Sequence, residues 1–281
     1  MVKHFYNRIA DRYDKDWRGI YKDIHEISLS QITEHFAGKT IKSALDLAVG
    51  TGNGFNDLSQ HLCIQHRIGN DISEEMLNQA KKRLKGGIEL ICDDALNIRK
   101  YVADSSQDLI LCQFLLSYLD GNEVLKSAYR ILKPGGVIAL ASSTKRDLLE
   151  LHTGRFRVTN KLFRVGKYLN KVDTPMSHEA LLRTLTEHKL QILKHKNYRK
   201  QVVFESFDDV TAWAIDSGWA AQYFDSGFKI KTVLGSALFK GLSIIMYPLY
   251  PVYAHNDISV ILAQRSVQPL ARSGFKTPGQ V

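Results

Sequence analysis

Cysteine is scarce in this chain: three in 281 residues. Cys63, Cys92 and Cys112 stand far apart in apolar or strand-like surroundings, which excludes a disulfide framework and offers no zinc-ligand spacing. They read as reduced core thiols. Uncharged apolar runs are nearly absent too. Val233 to Tyr253, roughly the 20 residues of a minimal membrane span, carries Lys240 as its sole charge. Gly235, Gly241, Pro248 and Pro251 interrupt it, so a folded lid is the better reading and a peripheral membrane contact the alternative. There is no internal repeat and no RNA-binding signature. The first residues, MVKHFYNRIADRYDKDW, are too charged for a signal peptide, which points to the cytoplasm. Acidic residues are outnumbered, 29 against 38 lysines and arginines, for a net charge of +9. That balance suits anionic partners such as an acidic carrier protein, nucleic acid or a membrane surface. The basic residues are spread along the chain, however, and read mainly as solvated faces.

What is present is the composition of an ordinary globular α/β protein, 44% hydrophobic and 24% charged. Strands are expected near 43–49, 66–70, 88–92, 107–113 and 136–142, with helices near 54–63, 73–85 and 121–132. This alternation predicts a parallel sheet with right-handed crossovers. Lys133-Pro134-Gly135-Gly136 ends one helix and turns into the next strand. A helix over 175–188 and strands near 190–197 and 257–264 complete the sheet. Two segments break the rhythm: residues 1–40, with Phe5, Tyr6, Tyr13, Trp17 and Tyr21 among charges, and residues 203–255, with Trp213, Trp219, Tyr223, Phe224 and Phe228. Both are expected to cover the carboxyl ends of the strands, where open α/β sheets bind ligands. The tail from Val267 reads as disordered.

The chemistry concentrates in LDLAVGTGNG, Leu45 to Gly54. A strand feeding a glycine-rich turn and a helix brings backbone close to a ligand. A dinucleotide turn has the spacing G-x-G-x-x-G and no carboxylate just before it. Here the glycines are Gly50, Gly52 and Gly54, and Asp46 aims a negative charge at the same place. That repels phosphate and suits a ligand bearing an ammonium group, such as S-adenosylmethionine. Asp71 ends the second strand in GNDISEEML, where a carboxylate can accept from both hydroxyls of a ribose; Ser73 then caps a helix that carries Met76 and Leu77. ICDDALNI puts Asp93 and Asp94 at the end of the third strand. Asp94 is placed to accept from an adenine amino group, with the Ala95 N–H reaching a ring nitrogen. QDLILCQFLLSYL places Gln113 and Phe114 at the end of the fourth.

These motifs, with RILKPGGVIAL, resemble the class I S-adenosylmethionine-dependent methyltransferases from about residue 40 to 145. The resemblance implies a Rossmann-like, seven-stranded, mostly parallel sheet whose last strand is antiparallel, with helices on both faces and a helical lid. It implies domain limits of 1–40 for the N-terminal lid, 41–266 for the catalytic domain with insertions at 145–174 and 203–255, and 267–281 for a flexible tail. It assigns cofactor contacts to Asp46, Ala48, Gly50, Thr51, Gly52, Asn53, Asp71, Ile72, Met76, Asp93, Asp94, Ala95, Gln113 and Phe114, with S-adenosylhomocysteine as product and no metal. Ala48 stands where many members have glycine, and Asn70 where an apolar residue is commoner. FYNRIADRYD is similar to the N-terminal element of the small-molecule subgroup, which brings Tyr13 near the cofactor.

Methyl transfer is an in-line displacement, and the enzyme chiefly aligns the reactants and excludes water. Where the acceptor starts protonated, His4, Tyr118, His152 and His255 are the candidate bases; the catalytic candidates are Tyr118, His152 and Tyr13. From residue 175 onward the pattern is similar to malonyl-acyl-carrier-protein methyltransferases. This implies a small-molecule or acyl acceptor, methylated on a carboxyl or hydroxyl oxygen and held on an acidic carrier. An N- or C-methyltransferase, an RNA or protein methyltransferase, and a non-methylating catalyst on the same fold are the competing readings. The fourth strand ends CQFLLSYL, without an N-P-P-Y-like motif or a nucleophilic cysteine, which disfavours the RNA and protein alternatives. The oligomeric state is not legible.

Overall fold

Apolar side chains alternate along the central strands, and each alternate set is buried against a different layer of helices. In β4 (Gln107–Gln113), Leu109 and Leu111 join one core cluster, Ile110 and Cys112 the other. A strand buried on both faces reads as a near-continuous apolar run, as LILC does. The computed structural model describes residues 2–15, 18–151, 153–154, 174–219 and 249–267. His152, Trp17, Tyr223, Phe224, Phe228, most of both insertions and the tail beyond Val267 lie outside them.

Seven strands form one sheet: β1 (Ile41–Leu47), β2 (Ile64–Asp71), β3 (Glu89–Cys92), β4, β5 (Leu132–Ser143), β6 (Leu190–Phe204) and β7 (Val252–Arg265). Their order is β3-β2-β1-β4-β5-β7-β6. The first five are parallel, and β7 runs antiparallel to both β5 and β6. The expected sheet is therefore present. The helices are α1 (Val2–Ile9), α2 (Ile20–His35), α3 (Asn53–Leu58), α4 (Glu74–Leu84), α5 (Gly121–Ile131), α6 (His178–Glu187) and α7 (Phe207–Asp216). Residues of α2, α3 and α4 share a core with one face of the sheet; residues of α5 and α6 pack on the other. Helix α5 shows how the sequence arranges this. Asp120 caps it by accepting from the Asn122 N–H, and Val124, Leu125, Ala128 and Ile131 form one buried stripe.

Several boundaries differ from the sequence reading. Helix α3 stops at Leu58 and not at residue 63, because turns over 59–62 are needed to re-enter the sheet at Ile64. Lys133-Pro134-Gly135-Gly136 does not precede β5 but interrupts it: Leu132 pairs with Gln107, and regular pairing resumes at Val137 opposite Leu109. Strands β6 and β7 are much longer than expected and pair from Leu190–Arg265 to Phe204–Val252. Both ends of the supposed 203–255 insertion thus belong to the sheet or to α7. Of the cysteines, Cys112 is buried, whereas Cys63 and Cys92 are exposed at strand ends and are not core thiols.

Candidate functional site

The carboxyl ends of β1, β2 and β4 converge on two adjoining cavities. The smaller, of about 180 Å³, is lined by Asp71, Ile72, Met76, Asp94, Ala95, Leu115 and Tyr118 among others. The larger, of about 460 Å³, is lined by Asp46, Thr51, Asn53, Gly54, Tyr21, His25 and Asp57 among others. Tyr13, Ala48, Gly50, Gln113 and Phe114 border both. Residues chosen at the ends of four separate strands therefore meet around one continuous groove. Gly52 and Asp93, also expected there, border neither cavity.

The glycine turn shows why those residue types are required. Gly52 caps α3 with φ +86°, and a Cβ there would lie 3.0 Å from the Leu84 side chain and 3.2 Å from the Ala80 backbone. Its role is to let α3 and α4 approach. A Cβ on Gly54 would stand 3.2 Å from Asp46 Oδ2, so the third glycine makes room for the acid. Ala48 and Phe114 hold left-handed backbones, φ +70° and +58°, at the ends of β1 and β4. Such conformations cost a non-glycine residue about 1 kcal/mol or more and cluster at functional sites.

Asp71 is nearly enclosed. Its Oδ2 accepts the Gly50 N–H at 3.0 Å and its Oδ1 the Ser73 N–H at 2.8 Å. Burial raises its pKa to about 6 against the opposing pull of these amides. Asp46 is 5% exposed. Burial, and then the charge of Asp71, push its pKa to about 8. Among the described residues no lysine, arginine or histidine forms an ion pair with either acid. Two buried carboxylates without a cation are costly, and the cavities they border would welcome a positively charged, hydroxyl-bearing ligand.

At the far end, Asp94 caps the turn that follows β3, accepting from the Leu96 N–H, and still borders the smaller cavity. Asp93 is instead consumed structurally. It accepts from the Asp94 N–H, the Asn97 side chain and the Tyr101 hydroxyl, and the Asn97 bond leads in holding its pKa below the ordinary value. Asn70, unusual at its position, donates to the carbonyls of Ile91 and Asp93 and so pins β3 to β2 beside the cavity.

The N-terminal segment is tied to this site at three points. Asn7 accepts from the Ser73 hydroxyl at 2.6 Å. Asp14 accepts from Thr51 Oγ1 and Asn53 Nδ2, both at 2.8 Å, and from Arg83 at 2.6 Å. Tyr6 and Tyr118 share a hydrogen bond of 2.8 Å, and Tyr118 donates to the Gly218 carbonyl at 3.2 Å. Because Tyr118 spends its proton on Gly218, Tyr6 is the donor in their pair. Burial pushes the Tyr118 pKa up to about 12, which makes it a fastener between α1, β4 and the end of α7 and a poor base. His4 is exposed and borders neither cavity. His255 is held by Glu150 at 2.8 Å, also away from both. The sequence marked Asn70 only as a departure from the motif and assigned no role to Asp14 or Arg83; their roles arise from contacts between distant segments. No cluster of three metal-ligating side chains occurs among the described residues, and none of their helices is long and apolar enough to cross a membrane.

Comparison with known proteins gives this geometry a context. The model of the ubiE/COQ5 methyltransferase family matches residues 1–172. A malonyl-[acyl-carrier protein] O-methyltransferase of Marinomonas sp. is 25% identical over 73% of this chain and 72% of its own length. A demethylmenaquinone methyltransferase of Lactococcus lactis is 30% identical over 61% of this chain and 68% of its own. Among solved structures, an N-methyltransferase of Bradyrhizobium japonicum in complex with S-adenosylhomocysteine superposes with a TM-score of 0.55 at 14% identity, covering 94% of this chain and 98% of that one. That likeness concerns the fold.

Proposed function

The chain belongs to the ubiE/COQ5 methyltransferase family, and from that premise we propose how its cavities divide the work of methyl transfer. S-adenosylmethionine is the methyl donor. In our reading its adenosine lies in the smaller cavity. Asp71 takes the ribose hydroxyls, Asp94 the adenine amino group and the Ala95 N–H a ring nitrogen, between Ile72, Met76 and Leu115. The methionine end crosses the neck at Ala48 and Gly50 toward Asp46, Thr51 and Asn53, and Asp46 faces the ammonium group. Gln113, Phe114 and Tyr13, which border both cavities, surround the transferable methyl. The observation that carries this reading is the pair of buried acids, Asp46 and Asp71, with no cation paired to either among the described residues. The bound donor supplies an electrophilic methyl on a good leaving group. The protein's residues align the acceptor with it and keep water out.

The acceptor in this proposal is a small molecule or an acyl chain methylated on oxygen, a hydroxyl or a carboxyl. The malonyl-[acyl-carrier protein] relative and the positive net charge support it, the latter because it suits an acidic carrier. The demethylmenaquinone relative favours a second reading, methylation at a ring carbon. Methyl-labelled donor, incubated with carrier-bound malonate, hydroxylated aromatics and demethylmenaquinol, tests both. A product that releases labelled methanol in mild base is a carboxyl ester; a base-stable label released as methyl iodide by hot hydriodic acid is a hydroxyl ether, and a label on the quinol that survives both is on carbon. No label in any product despite tight binding of S-adenosylhomocysteine would count against the acceptor classes proposed.

A further inference from the structure

Across β4 from the acids of β1 and β2, the sheet order places the ends of β5 and β7. A cavity of about 20 Å³ lies there, lined by Tyr21, Phe114, Trp213, Trp219, Asp147 and Asn256, with Ser143 and two isoleucines. Tyr21 and Phe114 also border the 460 Å³ cavity, so the small chamber adjoins the groove at the point assigned to methyl transfer.

Its polar floor is unusual. Asp147 is 8% exposed, and its Oδ1 accepts from Asn256 Nδ2 at 3.0 Å and from the Asp257 N–H at 2.9 Å. Burial raises its pKa to about 6, which leaves it largely ionised at neutral pH. Asn256 is 2% exposed, and its Oδ1 has no hydrogen-bond partner among the described residues. With one N–H of Nδ2 committed to Asp147, the amide keeps an unmatched acceptor oxygen and its second N–H for its remaining surroundings. A buried acceptor left unmatched costs about 1–3 kcal/mol. Asp257, next in sequence but not among the residues lining the chamber, is a second buried acid nearby; its Oδ1 accepts from Thr144 and Arg199 lies 3.6 Å from its Oδ2. The floor is thus electronegative and rich in acceptors, and the walls are aromatic.

We propose that Asp147 and Asn256 form the anchoring subsite of the methyl acceptor, receiving a hydrogen-bond donor group, a hydroxyl or an ammonium. The proposal rests on the donor-binding reading above, which puts the methyl at Phe114. The chamber has room for one such head group, about the size of a water molecule. The body of the acceptor extends past Phe114 and Tyr21 into the larger cavity. Aromatic walls tolerate either head and favour a cation further, whereas a free carboxylate is repelled by Asp147. Both residues act by positioning and specificity.

The test uses the full chain saturated with S-adenosylhomocysteine and three probes of matched size: phenol, benzylammonium and benzoate. Dissociation constants are measured by ligand-observed NMR on wild type, Asp147→Asn and Asn256→Ala. Phenol or benzylammonium should bind, with benzoate at least tenfold weaker, and either substitution should weaken the bound probe at least fivefold. S-adenosylhomocysteine affinity, measured calorimetrically on the same proteins, should stay within twofold. Whichever of phenol and benzylammonium responds identifies the head group. Benzoate binding as well as the others, or variants that bind the probes like wild type, overturns the subsite. So does the absence of probe binding, which would leave the chamber to a buried water. Loss of S-adenosylhomocysteine binding by the wild type would instead overturn the donor reading beneath it. Should Asp147→Asn unfold, Asn256→Ala alone carries the comparison, its loss of phenol or benzylammonium affinity against unchanged S-adenosylhomocysteine affinity being the readout.

Discussion

The charge of Asp71 presses on Asp46. Burial alone raises the Asp46 pKa, and its neighbour at the end of the next strand raises it further, to about 8. Folding therefore retains a proton that the unfolded chain releases near pH 4. Between those values the folded state binds more protons, so the contribution of Asp46 to stability is fully present below about pH 4 and is lost as pH rises toward 8. Asp71, raised to about 6, acts in the same direction over the lower part of the range. Chemical denaturation of the ligand-free protein should show this decline, and Asp46→Asn should flatten its upper part. A wild-type profile flat from pH 5 to 8 would contradict the assignment.

In the proposed binding mode the same acid links proton release to cofactor binding. An ammonium group beside Asp46 favours the carboxylate, so affinity for S-adenosylhomocysteine should rise from pH 6 to 8. Calorimetry in buffers of different ionisation enthalpy should register a proton leaving the complex, and Asp46→Asn should abolish that release.

Asp71→Ala removes the acceptor for two backbone amides and, in our reading, for the ribose. Binding of S-adenosylhomocysteine should weaken by about 1.5–3 kcal/mol, the usual worth of hydrogen bonds to a charged group. An unchanged dissociation constant would refute the ribose assignment.

Tyr118→Phe separates a fastener from a base. It breaks the Tyr6–Tyr118–Gly218 chain and should cost about 0.5–1.5 kcal/mol of stability. The rate should fall modestly, with the shape of its pH profile preserved. A loss of several orders of magnitude at unchanged cofactor affinity would restore Tyr118 as the base.

Ala48→Gly relieves the left-handed backbone at the end of β1. Stability should rise by roughly 0.5–1 kcal/mol, the strain released less the greater chain entropy of glycine, and a higher Tm reports it. A lower Tm would mean that the methyl group of Ala48 contributes packing that outweighs the strain.

Much of this was readable in the chain because it is local. The alternation in LILC, the spacing of Gly50, Gly52 and Gly54, and acids at the ends of successive strands are properties of short segments, and any parallel sheet brings such strand ends to one edge. Asp93 marks where that reasoning stops. It adjoins Asp94 and carries the same group, yet Asn97 and Tyr101 claim it. Which of two neighbouring acids faces a cavity depends on a turn that the spacing does not specify. Asp14 and Arg83 are 69 positions apart, and Asp147 and Asn256 are 109 apart. No periodicity predicts that such pairs meet: the first depends on where the N-terminal segment crosses α4, the second on how the sheet order folds β7 back beside β5. LDLAVGTGNG thus identified the methyl donor from its own residues, since that ligand is recognised by backbone geometry and one nearby charge. The chamber proposed for the acceptor's head group exists only where β4, β5, β7 and the residues around α2 and α7 come together.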